Sequence, residues 1–130
     1  MRNFHVIAAL LLALLVVPAG TANAASLGGT WAGAGYIHPN AGDRQVVRCV
    51  VRYNRETSKV FGVHATCASS AGSIRQTGEV LKIRSNMYVG DFYNQQFDIR
   101  GRVRVSIRGG RQTVTFSSSD ASGRLTLSKR

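Results

Sequence analysis

The sequence has few of the side chains that enzymes use for acid–base or metal chemistry. Its 130 residues include only 6 Asp and Glu and 3 His. Asp91, Tyr93 and Asp98 could bring an acid and a base together near a turn, although pairing of these carboxylates with arginines such as Arg100 is the competing interpretation. No metal-ligand spacing, phosphate-binding glycine loop or nucleophile elbow occurs. We therefore expect a protein without catalytic activity, metal or cofactor.

The sequence also lacks an apolar run long enough to cross a bilayer as a helix. The longest run, residues 6–17, is shorter than the roughly 20 residues that a spanning helix needs. Arg2 precedes this run, and the small residues at positions 22–24 (Ala-Asn-Ala) resemble a signal-peptidase site. These features predict a secretory signal peptide over residues 1–24 and a single mature domain over residues 25–130.

No stretch after the predicted signal peptide has a helical period, whereas the two-residue period of β-strands recurs. The clearest case begins at Phe97, where the apolar residues as far as Ile107 stand at odd positions and the arginines at even positions. Gly109-Gly110 then predicts a two-residue primed turn in which both glycines have positive φ. Folding about this turn pairs Ile107 with Gln112, Val105 with Val114, Val103 with Phe116, Arg104 with Thr115 and Arg102 with Ser117.

The two cysteines, Cys49 and Cys67, lie in a second predicted hairpin. Its strands, residues 44–53 and 59–67, alternate in phase, and folding the chain between them sets Cys49 opposite Cys67. An even number of cysteines in an exported protein also favours a disulfide. The sequence therefore predicts one Cys49–Cys67 bond that joins two neighbouring strands.

Eight short strands with tight turns predict an all-β, antiparallel up-and-down β-barrel, with a β-sandwich as the alternative. Within the strand predicted at residues 74–84, the apolar phase changes before Leu81 and Ile83, which predicts a β-bulge near Gly78. A small outer-membrane barrel, with its faces reversed, is a further alternative, although the strands are short and aromatic girdles are missing. The large side chains expected to fill the interior are Trp31, Phe61, Phe92, Phe97 and Phe116.

Arginine dominates the charge of the chain. The formal net charge is +11, and removal of Arg2 with the signal peptide leaves +10. Arginine binds phosphate and carboxylate in a bidentate manner, so this composition favours an anionic partner such as lipid A, anionic polysaccharide or nucleic acid. A solvated charged face without a dedicated ligand is the competing interpretation. The candidate anion-binding residues are Arg100, Arg102, Arg104 and Arg108 in one row and Arg44, Arg48 and Arg52 in a second.

Leu27-Gly28-Gly29-Thr30-Trp31 resembles the Gly-x-Trp start of lipocalin-type barrels, whose tryptophan closes one end of the barrel. In size, and in having one disulfide between early strands, the chain also resembles the periplasmic metalloprotease-inhibitor barrels of Gram-negative bacteria. The resemblance implies a small secreted calycin-like barrel that Trp31 closes, and a role as small-ligand carrier or protease inhibitor. Those inhibitors act through a segment ahead of the barrel, whereas only Ala25 and Ser26 would precede Leu27 here.

These patterns together predict an exported, non-enzymatic binding protein that is periplasmic or secreted. Its expected partner is an anionic envelope component or polyanion, with any membrane contact peripheral. A protein partner bound at the open end of the barrel is the other possibility that the sequence leaves.

Overall fold

The computed structural model describes residues 26–130, and the predicted signal peptide lies outside them. The strands are β1 (Gly29–Pro39), β2 (Gln45–Arg55), β3 (Val60–Ser69), β4 (Gly72–Arg84), β5 (Met87–Asn94), β6 (Ile99–Arg108), β7 (Arg111–Ser118) and β8 (Ala121–Lys129). Each strand pairs antiparallel with the next, and β1 also pairs with β8, so the sheet closes into an up-and-down barrel. The predicted barrel is confirmed, and the β1–β8 pairing excludes the sandwich.

Both predicted hairpin registers are confirmed. In the β6–β7 hairpin Val105 pairs with Val114, and in the β2–β3 hairpin Cys49 pairs with Cys67, to which it is disulfide-bonded. The turn differs from its prediction in one respect, because only the first glycine, Gly109, has positive φ (61°). A type II′ turn needs positive φ only at its first central residue, so Gly109 meets the requirement of this turn type.

The β-bulge in β4 lies later than predicted. Gly78 keeps a regular pairing register, and the register shifts instead between Lys82 and Arg84. A Cβ atom at Gly78 would overlap a backbone carbonyl of β5, so this glycine permits a close approach of two strands rather than a bulge. As a consequence, Leu81 and Ile83 are each 46% exposed.

The prediction that Phe97 lies inside the barrel was wrong. Phe97 is 56% exposed in the turn between β5 and β6. Its backbone N–H donates to Asn94 Oδ1 (3.0 Å), and Asp98 has φ 51°, so the chain turns there. β6 therefore begins only at Ile99. The alternation of apolar and charged residues that starts at Phe97 in the sequence does not continue as one strand across this turn.

Apolar side chains fill the interior and the arginines lie outside, which is the opposite of what a transmembrane barrel requires.

Trp31 is fully buried at the end where β1 begins, called here the Trp31 end, and its Nε1 donates to the Leu27 carbonyl (2.9 Å). The Lys129 ammonium lies 5.5 Å from the Trp31 ring centre and donates to the Ser26 carbonyl (2.6 Å). Trp31 and Leu27 are thus both fully buried at this end of the barrel. Residues 26–130 contain no helix of the length and apolarity that crossing a membrane would take.

Tyr53 and Gln112 form a polar pair inside this apolar interior. The Tyr53 hydroxyl donates to Gln112 Oε1 (2.5 Å), and Gln112 Nε2 has no hydrogen-bond partner among residues 26–130. Burial raises the pKa of the Tyr53 hydroxyl above its ordinary value of 10.0.

This raised pKa predicts an alkaline loss of stability. The folded state keeps Tyr53 protonated above pH 10 while the unfolded chain releases the proton, so this group should lower the free energy of unfolding by about 1.4 kcal/mol per pH unit there. Tyr53→Phe should remove that slope, and should lose about 1 kcal/mol at neutral pH with the hydrogen bond. Urea unfolding of both proteins from neutral to strongly alkaline pH measures the difference. Parallel curves would contradict the prediction.

Candidate anion-binding surface

All seven of the predicted anion-binding arginines are exposed, but they do not form one surface. Arg100, Arg102, Arg104 and Arg108 lie along the outer face of β6. Arg48 and Arg52 lie on β2, with Arg44 just before that strand. In the closed sheet β2 and β6 are four strands apart in either direction, so the two rows lie on opposite sides of the barrel. The two predicted rows are therefore two separate surfaces.

Two arginines that the sequence reasoning missed join the β6 row instead. Arg111 is the cross-strand partner of Arg108, and Arg124 on β8 is separated from Arg104 only by Thr115 of β7. Both positions were readable from the sequence, since the β6–β7 register and the inward phase of β8 point them outward. We call the outward arginines of β6, β7 and β8 the arginine wall: Arg100, Arg102, Arg104, Arg108, Arg111 and Arg124.

Four members of the arginine wall line one shallow depression that crosses three strands, called here the arginine depression. Hydroxyl side chains lie between the guanidinium groups and could donate further hydrogen bonds. Guanidinium forks and hydroxyls together suit the oxygens of phosphate, sulfate or carboxylate groups. The lining consists of Arg104, Arg108, Arg111 and Arg124, with Ser106, Thr113, Thr115 and Thr126 among the other residues.

No carboxylate lies on the outer faces of β6, β7 and β8. The one ion pair among the described residues joins Arg102 to Asp91 of β5 at 3.9 Å, with both side chains well exposed. Such an exposed pair stabilises the fold little. Arg108 and Arg111 face each other directly across the hairpin, an arrangement of like charges that is unfavourable unless an anion lies between them.

The acidic side chains of the barrel wall lie on the neighbouring strands. Glu79 of β4 and Asp91 of β5 are cross-strand partners. A hydrogen bond between Glu56 and Glu79, together with their mutual repulsion, raises the pKa of the Glu56 carboxyl. The outer surface is therefore divided, with carboxylates around β4 and a cationic surface on β6 to β8 in which, among the described residues, Arg102 alone forms an ion pair.

The possible acid–base group is divided between two separate contacts. The Tyr93 hydroxyl donates to Asp98 Oδ1 (3.1 Å), and the Arg100 guanidinium lies 4.4 Å from the Tyr93 ring centre. Asp91 instead contacts Arg102. The structure thus brings two of the three residues together, and it places each carboxylate near an arginine or a tyrosine rather than near the other carboxylate.

The β2 row differs from the arginine wall in its neighbours. Arg48 and Arg52 alternate along β2 with valines, of which Val46 is 72% and Val50 is 39% exposed. The Arg44 guanidinium lies 4.0 Å from the ring centre of Tyr36. This row is a single strand wide, whereas the arginines of the depression lie on three neighbouring strands.

The barrel interior contains a cavity of about 50 Å³. Its lining is mainly apolar and includes Val51, Tyr53, Phe92, Val103 and Phe116. Phe92 and Phe116 pack edge to face with ring centres 5.9 Å apart, which narrows this space. Pockets for drug-sized ligands measure about 300–1,000 Å³, so this cavity holds only a few atoms without movement of the core.

No protein-family model matches the sequence, and no curated protein matches it. Solved structures do share its fold. A redesigned β-barrel, mFAP1, bound to DFHBI has a TM-score of 0.67 at 15% identity, covering 79% of this chain and 94% of that one. A de novo designed fluorescence-activating β-barrel has a TM-score of 0.63 at 17% identity, covering 82% and 96%. The S-type phycobiliprotein lyase of Guillardia theta has a TM-score of 0.50 at 8% identity, covering 80% and 88%.

At these identities the similarity concerns the fold alone. It agrees with the expected small β-barrel, since the designed neighbours are β-barrels that this chain covers almost entirely. One neighbour is described as bound to DFHBI and another as fluorescence-activating, and these are properties of those proteins.

Proposed function

We propose that this protein is an exported, non-enzymatic binding protein that holds anionic groups of an envelope component in the arginine depression. The observation that carries the proposal is the convergence of Arg104, Arg108, Arg111 and Arg124 on three strands whose outer faces have no carboxylate. The Cys49–Cys67 disulfide is consistent with an oxidising compartment and thus supports a periplasmic or secreted location.

The arrangement favours multivalent anions over single ions. Neighbouring strands lie about 4.8 Å apart and alternate outward residues about 6.6 Å apart, so the four guanidinium groups span a patch larger than one phosphate. A ligand with several phosphate, sulfate or carboxylate groups can therefore contact the arginines together. Each contact adds a charge-assisted hydrogen bond and releases counterions, so binding should weaken with salt.

The first test compares two variants that remove the same amount of charge. In the depression variant Arg104, Arg108, Arg111 and Arg124 become Ser; in the matched control Arg44, Arg48, Arg52 and Arg75 become Ser. We expect the depression variant to lose most of its affinity for dextran sulfate, and the magnitude of its logarithmic salt slope to fall by about 3. The control variant should keep at least half of the wild-type slope. Titrations between about 50 and 200 mM salt measure both quantities.

Equal losses in the two variants would show that only net charge matters and would overturn the proposal. A larger loss in the control would assign binding to the β2 side instead. The same titrations with a short DNA duplex and with lipid A vesicles rank the anion classes. Equal, weak binding of all three at the higher salt concentration would indicate a solvated charged face.

The second candidate function is a small-ligand carrier, which the apolar interior cavity favours. At about 50 Å³ this cavity would have to expand, with Phe92 and Phe116 moving apart. A carrier would bind a small apolar dye equally well in the wild type and in the depression variant. The arginine proposal gives no reason for such binding.

A further inference from the structure

A patch of exposed apolar side chains adjoins the arginine wall at the Trp31 end. Regular pairing of β4 as far as Lys82 keeps Leu81 and Ile83 on the outer face, where each is 46% exposed. Two large aliphatic side chains so close together on a strand end are unusual for a surface that meets only water. Half-buried Val60, Met87 and Val89 surround them on the adjacent strands. We call Val60, Leu81, Ile83, Met87 and Val89 the apolar patch.

The apolar patch and the arginine wall are continuous. Leu81 pairs with Val89 of β5, and Val89 pairs with Arg104 of β6. Two strand spacings of about 4.8 Å therefore separate the backbone at Leu81 from the backbone at Arg104. On the other side the exposed Arg84 follows directly after Ile83. The patch thus has guanidinium groups on two borders.

The charge distribution indicates which end of this surface meets a partner. Arg84, Arg108 and Arg111 lie at the Trp31 end, beside the uncharged turns Ser85-Asn86 and Gly109-Gly110. Glu79 and Asp91 border the patch on the side away from that end, whereas Glu56, in the β2–β3 turn at the Trp31 end, is hydrogen-bonded to Glu79. An anionic surface would therefore be attracted to the turns of the Trp31 end and repelled beyond the patch.

We propose that the protein docks on an anionic lipid bilayer through this end of the barrel. Leu81 and Ile83 enter the boundary between headgroups and acyl chains, while Arg84, Arg104 and Arg108 bind lipid phosphates. This inference rests on the proposed anion-binding function and names a membrane surface as its partner. A soluble polyanion satisfies the arginines but leaves the apolar patch in water, whereas a bilayer contacts both.

The test separates the apolar contribution from the ionic one. Leu81→Ser with Ile83→Ser removes the exposed aliphatic groups without changing charge. Its matched control is Val46→Ser with Val50→Ser, the same kind of change on β2, two strands away from β4. Binding is measured to vesicles of equimolar phosphatidylcholine and phosphatidylglycerol, to pure phosphatidylcholine vesicles, and to dextran sulfate. All variants have the same N-terminal residues, so any contribution of the apolar run at residues 6–17 to vesicle binding is equal in all of them.

We expect the Leu81/Ile83 variant to lose at least about tenfold in affinity for the anionic vesicles and to bind dextran sulfate as the wild type does. The Val46/Val50 control should match the wild type on both, and pure phosphatidylcholine should bind weakly. Unchanged vesicle binding in the first variant, or an equal loss in the control, overturns the lipid proposal. A change of molecular mass in solution caused by the first variant would do so too, because the patch would then join two copies of the chain.

The two proposals fail in different ways. Failure of the wild type to bind either dextran sulfate or anionic vesicles removes the anion-binding function itself. If dextran sulfate binding depends on the arginine depression but vesicle binding does not depend on Leu81 and Ile83, only the lipid inference fails.

Leu81→Trp gives a second readout that does not need the serine variant to fold. Its fluorescence should shift to the blue on anionic vesicles, and an unshifted spectrum with bound protein contradicts insertion.

Discussion

Gly35→Ala should lower the free energy of unfolding by about 3 kcal/mol and weaken binding to the arginine depression at the same time. An added Cβ atom would overlap the carbonyl oxygen of Arg124 and lie 2.8 Å from the Leu125 Cα atom. Both neighbours are backbone atoms of β8, so no side chain can move aside to make room. The strand must shift, which disturbs the pairing of β1 with β8 that closes the barrel.

Urea unfolding followed by circular dichroism measures the loss of stability, and the dextran sulfate titration measures the loss of binding. Gly110→Ala is the matched control, because nothing lies within 4 Å of its added Cβ atom and its φ is not positive. That control should stay within about 0.5 kcal/mol of the wild type. If Gly35→Ala were equally neutral, the close β1–β8 approach would not be a feature of the folded protein.

The second large effect is expected from removal of the disulfide. Cys49→Ala with Cys67→Ala should lower the free energy of unfolding by about 3 kcal/mol, since the bond closes a loop with a sequence separation of 18. Both cysteines are buried, at 2% and 7% exposure, so the shorter alanine side chains also remove packing contacts. For a domain of this size the melting temperature should fall by about 15 °C.

Reduction provides the control for this variant. Wild type treated with a phosphine reductant should unfold at nearly the urea concentration of the alanine variant, and the variant itself should not respond to the reductant. A reduced wild type as stable as the oxidised one would contradict the prediction. The β2–β3 pairing should persist in the variant, because the register also sets Tyr53 opposite Val63 and Val51 opposite Ala65.

The arginine depression shows that the tertiary structure decides which arginines of the sequence lie together. Arg104 and Arg108 are separated from Arg124 by a turn, a strand and a second turn, yet they line the same depression. Arg48 and Arg52 have the same alternation as the β6 row and lie on the opposite side of the barrel. Composition alone supports an anionic partner for either row, whereas only the fold separates them into a three-strand surface and a one-strand row.

The local β-structure could be predicted from the sequence because it depends on short-range rules. The two-residue period and the glycine turn were enough for the β6–β7 register, and the same phase argument paired Cys49 with Cys67. Each hairpin joins neighbouring segments, so few alternative pairings compete. The number of strands and their antiparallel order followed from the same reasoning.

What only the tertiary structure decided depends on contacts between distant parts of the chain. The β1–β8 pairing joins the first strand to the last, and Gly33 and Gly35 of β1 lie directly against the β8 backbone there. The bulge lies at Lys82 and Arg84 rather than at Gly78 because the close approach of β4 and β5 requires that glycine in regular pairing. That shift left Leu81 and Ile83 outside, next to arginines brought there by closure of the barrel. Strand phase determines which way a side chain points, but the closed sheet determines which side chains become its neighbours.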